Sequence, residues 1–408
     1  MQFKIVNKEC PEQINKELLE LRGCPLCGTD LFHSVHSYHS LQFFTDKDTI
    51  SNRVNIDDVV CDACTLCFKN PSYTAKGFEI LFAEAGQSYG ATQGRQAEQI
   101  EWLAKRGMLK SGNTLLDVGC FDGKFLSSLP DSMNRIGVDI DRPAVDRGNI
   151  RDPKLELIHG AFEDFSTPLS PDVITMFHVL EHVTDPAGVL ARLKQISGEE
   201  TQLVVEVPVL ENGTTNDING FFSTQHLTHF SRRTLLKILE KGGWELIDSQ
   251  EMSGYNGFRI VARHNKYQLP LATSSGLDDA VYLENVLESM IRAKRDVQKV
   301  ITELPSLGQF CVWGAGMHTE ILFHKTDLFQ SSRRSFHLID SDPMKVGHSW
   351  RGIPISHPQI LKQIHWENND MKLLVSTYGN QNTIINAAKE LGVPESRITS
   401  LYSHLLVY

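Results

Sequence analysis

The sequence predicts an α/β protein: a central Rossmann-like domain flanked by a small N-terminal metal-binding domain and a C-terminal Rossmann-like α/β domain. Three observations predict it. Thr114-Leu-Leu-Asp-Val118 is an apolar run of the kind that makes a buried parallel strand, and Gly119 to Gly123 turns the backbone into a helix opening at Lys124-Phe125-Leu126. About twenty residues on, Arg135-Ile-Gly-Val-Asp-Ile-Asp141 reads as a second strand ending in carboxylates, where Asp139 can accept both hydroxyls of a ribose. Gln309-Phe-Cys-Val-Trp-Gly-Ala-Gly316 and Phe336-His-Leu-Ile-Asp340 repeat that arrangement near the C-terminus.

With 408 residues the chain should form two or three domains, each large enough for its own core. The formal charge of −10 is accompanied by no basic run, which speaks against a nucleic-acid partner. No charged-then-apolar leader follows Met1 and no apolar run approaches a membrane span. The expectation is a protein with no membrane partner, in the cytoplasm, where thiols stay reduced and available as metal ligands.

Residues 1–75 are expected to form the N-terminal domain. Cys24-Pro-Leu-Cys27 and Cys61-Asp-Ala-Cys64 are two C-x-x-C knuckles that can place four thiolates around one structural zinc ion, all positions being filled by protein. Disulfides are the competing reading, disfavoured because adjacent cysteines of this spacing pair poorly in structural bridges and the compartment is reducing. Cys61-Asp-Ala-Cys-Thr-Leu-Cys-Phe-Lys-Asn-Pro71 resembles the ending of the zinc ribbon that precedes many small-molecule methyltransferase domains. That resemblance puts Cys67 in an apolar slot and, with Cys10, outside the ligand set. His33, His36 and His39 read as a polar, solvated stretch rather than a second metal face.

Residues 76–265 should hold the central domain. Gln96 to Arg106 has helical spacing, with Ile100, Leu103 and Ala104 on one face. The loop after the first strand lacks the third glycine of G-x-G-x-x-G, which argues against a nicotinamide dinucleotide there. Asp117-Val-Gly119-Cys-Phe121-Asp-Gly123 instead resembles the D-x-G-x-G-x-G loop of class I methyltransferases that bind S-adenosylmethionine (SAM), with Phe121 in place of the middle glycine. Asp172-Val-Ile-Thr-Met-Phe-His-Val-Leu-Glu-His-Val-Thr-Asp-Pro186 resembles the same family's fourth strand and following loop, and Leu157-Ile-His-Gly-Ala-Phe-Glu-Asp164 its third. The resemblance implies donor contacts from Asp117, Gly119, Cys120, Gly123, Asp139, Ile140, Phe162, Glu163 and His178.

Thr201 to Pro208 is a fifth apolar strand, and loops after such strands are where ligands bind. His226-Leu-Thr-His-Phe-Ser231 resembles the H-L-S-Y-F-S stretch of the nucleotide-sugar C-methyltransferases, with Gln225 replacing a glutamate and Ser223 a tyrosine. The resemblance implies His226 as base, His182 lining the active site, Gln225 beside it, and Tyr89 near the sulfonium. A carbon beside a ketone must lose a proton, which suits an imidazole, but a hydroxyl acceptor needs a base too, so C- and O-methylation both stay open.

Residues 266–306 form an expected helical linker. Leu277 to Leu304 reads as one long amphipathic helix with a stripe through Val281, Val286, Leu287, Ile291 and Val297. Residues 307–408 make the second Rossmann-like unit, in which the resemblance implies that Gly314, Gly316, Asp340 and Tyr378 hold the nucleotide of an activated sugar. Gly314-Ala-Gly316 over a helix start suits a phosphate. The expected assembly is thus a SAM-dependent methyltransferase with structural zinc and a small-molecule partner, a nucleotide-linked keto-deoxysugar. The rivals are an O- or N-methyltransferase of a polysaccharide or secondary metabolite, a non-catalytic SAM-fold binding protein, and an oxidoreductase using the C-terminal unit.

Overall fold

A computed structural model describes residues 1–6, 14–42, 53–83, 95–162, 165, 170–251, 254–266 and 276–406. The central domain carries seven strands: β1 (Thr114–Val118), β2 (Asn134–Asp139), β3 (Glu156–His159), β4 (Val173–Phe177), β5 (Gln202–Pro208), β6 (Trp244–Glu251) and β7 (Gly257–His264). They lie in the order β6-β7-β5-β4-β1-β2-β3. β1 to β5 pair in parallel, whereas β7 runs antiparallel to both β5 and β6. Every residue of β1 is buried, as a strand covered on both faces requires, so its sequence shows an unbroken apolar run rather than alternation. The order turns back between β1 and β4, and the crevice at such a reversal is where an α/β sheet takes a ligand.

A four-stranded antiparallel sheet forms the N-terminal domain from Phe32–Gln42, Arg53–Cys61 and Cys67–Lys69. Its fourth member comes from the middle of the chain: Thr228–His229 pairs with Cys67–Lys69. The first domain is therefore completed by residues flanking the loop that carries His226. The N-terminus itself goes elsewhere, since Lys4 bridges Phe336 by backbone hydrogen bonds of 2.9 and 2.8 Å.

The C-terminal unit has β8 (Gly308–Trp313), β9 (Arg334–Ile339), β10 (Ser349–Trp350), β11 (Ile353–Ser356), β12 (Lys372–Val375) and β13 (Ile398–Ser400), ordered β10-β11-β9-β8-β12-β13. It is parallel except for the β10–β11 pair.

Two helices bury faces other than those expected. In α1 (Arg95–Lys105) the buried residues are Gln99, Trp102 and Leu103, and Ala104 is exposed. Trp102 turns inward because Arg259 lies over its ring at 4.9 Å. In α2 (Leu277–Glu303) the buried stripe is Val286, Met290, Ala293, Val297 and Ile301, while Val281 and Ile291 are exposed. That stripe keeps the three- and four-residue spacing of a helix face, which Ile291 breaks by one position. It packs Met290 and Val286 against Leu210 and Phe221, and Val297 and Ile301 against the C-terminal core, so α2 does lie across two domains.

Candidate active site

The glycine turn after β1 is built by close approach. Gly119 has φ +76°, and a Cβ there would stand 2.3 Å from Val179 Cγ2, so only glycine lets the two loops meet. Phe121, in the slot where a glycine is usual, also takes a left-handed conformation with φ +50°. Such a conformation costs a non-glycine residue about 1–2 kcal/mol. It is held by Asp139, whose Oδ2 accepts from Phe121 N at 2.7 Å and whose Oδ1 accepts from Asp141 N at 2.8 Å. The Phe121 ring lies toward Arg147, 5.9 Å from its guanidinium carbon. Burial raises the Asp139 carboxyl above its ordinary range, opposed by those two backbone donors. Each of its oxygens retains a second lone pair for a hydroxyl donor.

Around this turn the expected donor residues divide. Ile140 is 48% exposed beside Asp139, an apolar surface open to a flat ring. Asp117 is buried and accepts from Thr175 Oγ1 at 2.7 Å, tying β1 to β4. Burial raises its carboxyl to about 7, against the hydrogen bond from Thr175 and with the Asp139 charge adding to the rise. The Cys120 side chain points under the loop against Gly137. Phe162 is buried against Phe165, their ring centroids 5.9 Å apart. Gly123 caps the following helix at φ +70°. Glu163 and Tyr89 lie outside the described residues.

His178 sits at the end of β4 with φ +58°. Its Nδ1 meets Glu181 Oε1 at 3.2 Å and its Nε2 meets Glu206 Oε1 at 3.1 Å, with the Tyr255 hydroxyl against the same nitrogen. Burial works against its charge, yet the hydrogen bonds to Glu181 and Glu206 raise it to about 9. Glu206, fully buried, also accepts from Arg259 Nε at 2.6 Å, and Arg259 forms a two-pronged pair with Glu98 on α1. Burial drives Glu206 upward, but His178 and Arg259 bring it down to about 2. This network fastens α1 to the strand ends.

The sequence signal for Glu206 and Arg259 was a charge inside each of two apolar strands, Val-Val-Glu-Val and Phe-Arg-Ile-Val. Buried charges of that kind are normally paired.

Three residues beyond Val179, His182 donates Nδ1–H to the Gln225 carbonyl at 2.9 Å, which fixes its tautomer and leaves Nε2 with the lone pair. Its ring meets that of His226 edge-on at 4.8 Å. Sequence separates these histidines widely; the structure brings them together. A carboxylate oxygen of Glu181 and one ring nitrogen each of His182 and His226 lie within 4.8 Å of one another. Glu181 Oε2 and His226 Nδ1 are both buried without a hydrogen-bond partner. Burial lowers His182, and it lowers His226 well below the ordinary histidine value, with the neighbouring His182 adding to the effect, so both are neutral near pH 7. Gln225 enters through its carbonyl, and its N–H donates to Ser223 Oγ at 3.3 Å. Nothing in the sequence marks Glu181, since a motif does not show that a carboxylate's second oxygen is left free.

In the N-terminal domain the sulfurs of Cys24, Cys27, Cys61 and Cys64 lie within 4.8 Å of one another, with Cys24–Cys64 and Cys27–Cys61 at 3.5 Å. Four thiolates about 2.3 Å from a tetrahedral zinc are separated by about 3.8 Å, so the donor set fits. The described cysteines are free thiols, and Cys67 is buried in an apolar cluster with Phe221 and Leu210. His36 is not solvated: its Nδ1 meets Asp58 Oδ2 at 3.0 Å and its ring stacks on Phe222.

The C-terminal glycine turn repeats the first. Asp340 Oδ2 accepts from Ala315 N at 2.8 Å and Oδ1 from Asp342 N at 2.9 Å, as Asp139 does in the central domain. Gly314, at φ +121°, has its Cβ direction closed by the Ser376 carbonyl at 2.3 Å, whereas Gly316 faces Lys345 Nζ at 3.4 Å. The Tyr378 hydroxyl is engaged with Asn216 and Leu406, tying this unit to the central domain.

Residues 91–249 match the family described as "Methyltransferase domain". The chain is 35% identical over 99 residues to the mitochondrial ubiquinone biosynthesis O-methyltransferase of Schizosaccharomyces pombe, a match covering 21% of this chain and 34% of that protein. It thus spans about a third of the length of that relative. Among solved structures it resembles a SAM-dependent methyltransferase from Mesorhizobium loti (TM-score 0.36, 15% identity, 41% of this chain and 100% of that one). It also resembles magnesium protoporphyrin IX methyltransferase from Synechocystis PCC 6803, solved with bound SAH (TM-score 0.35, 16% identity, 47% and 95%). The family match, the glycine turn held by an acid-ended second strand and the reversed β7 together make the central domain a methyltransferase domain of the class I, SAM-dependent kind.

Proposed function

We propose that the protein transfers a methyl group from SAM to a small molecule, a nucleotide-linked keto-deoxysugar methylated on carbon. What supports this reading is the ring-to-ring pairing of His182 and His226, with His182 three residues beyond Val179, whose side chain stands against Gly119. When bound, SAM supplies an electrophilic methyl whose sulfur departs as a neutral thioether. Asp139 would accept the ribose hydroxyls, Ile140 would lie against the adenine, and Gly119 and Gly123 would let the backbone come close.

His226 takes the acceptor's proton as the new carbon–carbon bond forms. The Glu181 carboxylate, an oxygen of which lies within 4.8 Å of a nitrogen of each histidine, would stabilise the imidazolium once charge develops. Its low pKa keeps His226 deprotonated and ready, while making it a weaker base until that charge is matched. His182, locked to the Gln225 carbonyl, holds the ring of His226 in place. Cys24, Cys27, Cys61 and Cys64 hold a structural zinc ion. Asp340, Gly316 and Lys345 support a nucleotide diphosphate in the C-terminal unit, Lys345 offering the countercharge.

A second reading, O-methylation, is favoured by the partial match to an O-methyltransferase and uses the same donor and base residues. NMR of a uniformly 13C-labelled thymidine diphospho-4-keto-6-deoxyhexose incubated with enzyme and 13C-methyl SAM separates the two, since only a methyl attached to carbon shows one-bond carbon–carbon coupling to the ring. His226→Ala should lower turnover roughly 10²- to 10⁴-fold. Unchanged turnover in that variant would remove His226 as base.

A further inference from the structure

The loops that carry His182 and His226 are not held by the central domain alone. Arg22, two residues before Cys24, reaches in from the N-terminal domain. Its Nη1 donates to the Thr184 carbonyl at 2.6 Å, its Nη2 to the Leu227 carbonyl at 2.8 Å and its Nε to the Lys69 carbonyl at 3.2 Å. Thr184 stands two residues after His182, and Leu227 directly follows His226. The same Leu227 carbonyl accepts from Lys69 N at 2.9 Å, and Leu227 N donates to the Glu181 carbonyl at 2.7 Å. One guanidinium therefore touches both histidine loops and the edge of the N-terminal sheet. Because its donors form a rigid planar fork, the separation and tilt of the three carbonyls are set together. The Arg22 main chain is fixed in turn, its N–H donating to Asn70 Oδ1 at 3.1 Å.

A second tie joins the same domains without touching the histidines. Lys241 Nζ donates to the carbonyls of Pro25 and Leu26 at 3.0 and 2.8 Å, fastening the Cys24–Cys27 knuckle to the helix Arg232–Lys241. Of the two, Arg22 alone bonds to both histidine loops; the Tyr73 hydroxyl also reaches one of them, donating to the Thr224 carbonyl at 2.6 Å.

We infer that Arg22 is a positioning residue for the His182–His226 pair, making the N-terminal domain a working part of the reacting end; this rests on the base role proposed for His226. A lysine at 22 keeps the charge but can direct its single ammonium at fewer carbonyls and sets no plane. A misplacement near 1 Å at a reacting group can cost about a hundredfold in rate.

The test uses full-length protein labelled with 15N-histidine, with His182 and His226 signals assigned through His182→Asn and His226→Asn. Arg22→Lys should move both imidazole signals and lower turnover of the thymidine diphospho-4-keto-6-deoxyhexose roughly ten- to hundredfold, with SAH affinity within twofold of wild type. Lys241→Met should leave both imidazoles in place. Arg22→Lys with unmoved imidazoles overturns the inference even if the melting temperature falls. So does Lys241→Met moving them equally, because any loosening of the docked domain would then suffice. Failure of the base assignment shows differently, as normal turnover by His226→Asn while the Arg22→Lys shifts persist.

Discussion

Asp139→Asn tests the donor turn at its tightest point. The carboxylate accepts from two backbone N–H groups, Phe121 at 2.7 Å and Asp141 at 2.8 Å, on separate oxygens. An amide has one oxygen, so one of those N–H groups would face the NH2 of Asn, donor against donor. Hydrogen bonds to charged groups contribute about 1.5–3 kcal/mol each, and the proposed ribose hydroxyls lose an acceptor by the same exchange. Losing one such bond weakens binding roughly ten- to hundredfold. Burial already disfavours the charge on Asp139, so removing it offsets part of the loss in the donor-free protein. Binding should therefore fall far more than stability. Isothermal titration with SAH, alongside urea unfolding of the free protein, reads both quantities. A dissociation constant for Asp139→Asn within twofold of wild type would refute the reasoning, because the acid would then serve the loop alone.

Two further predictions concern stability and metal. His178 is raised to about 9 and Glu206 lowered to about 2 by one shared network. The histidine contribution is complete below its unfolded value of about 6.5 and is lost as pH rises through 9; the glutamate contribution is complete above about 4.5 and is lost as pH falls through 2. Stability should be greatest between roughly pH 4.5 and 6.5 and fall by on the order of 3 kcal/mol toward alkaline pH, a slope that His178→Gln should flatten in urea unfolding at stepped pH. Purified protein should carry zinc at one ion per chain by atomic emission, and Cys61→Ser should lose it with a lower melting temperature, since zinc binding is coupled to folding. Full zinc retention by that variant would count against the four-cysteine set.

The elements legible in the sequence are those whose causes are local. Thr114–Val118 announces a doubly covered strand by composition, the glycine at 119 is required by its own φ, and the two C-x-x-C knuckles bring their thiols together because each is a single turn. The inward face of α1 differs from the one its spacing predicts because it is chosen by Arg259, some 160 residues away, stacking on Trp102. The α2 stripe keeps Val286 and Val297 but runs through Met290 rather than Ile291 for a similar reason: Gly213 and Gly220 leave room for Val286 and Met290, and no local pattern reports that space.

By itself, therefore, the sequence determined the buried strand Thr114–Val118, the glycine turn with its acid-ended second strand, and the two turns that group four cysteines, all of which follow from short-range backbone geometry and residue type. Only the tertiary structure decided that His182 and His226 stand ring to ring, that Thr228–His229 completes a sheet begun at Phe32, and that Arg22 spans three segments. Those contacts join residues far apart along the chain, and their energy depends on the distance and angle at which separate elements pack, which no spacing along a single strand or helix encodes.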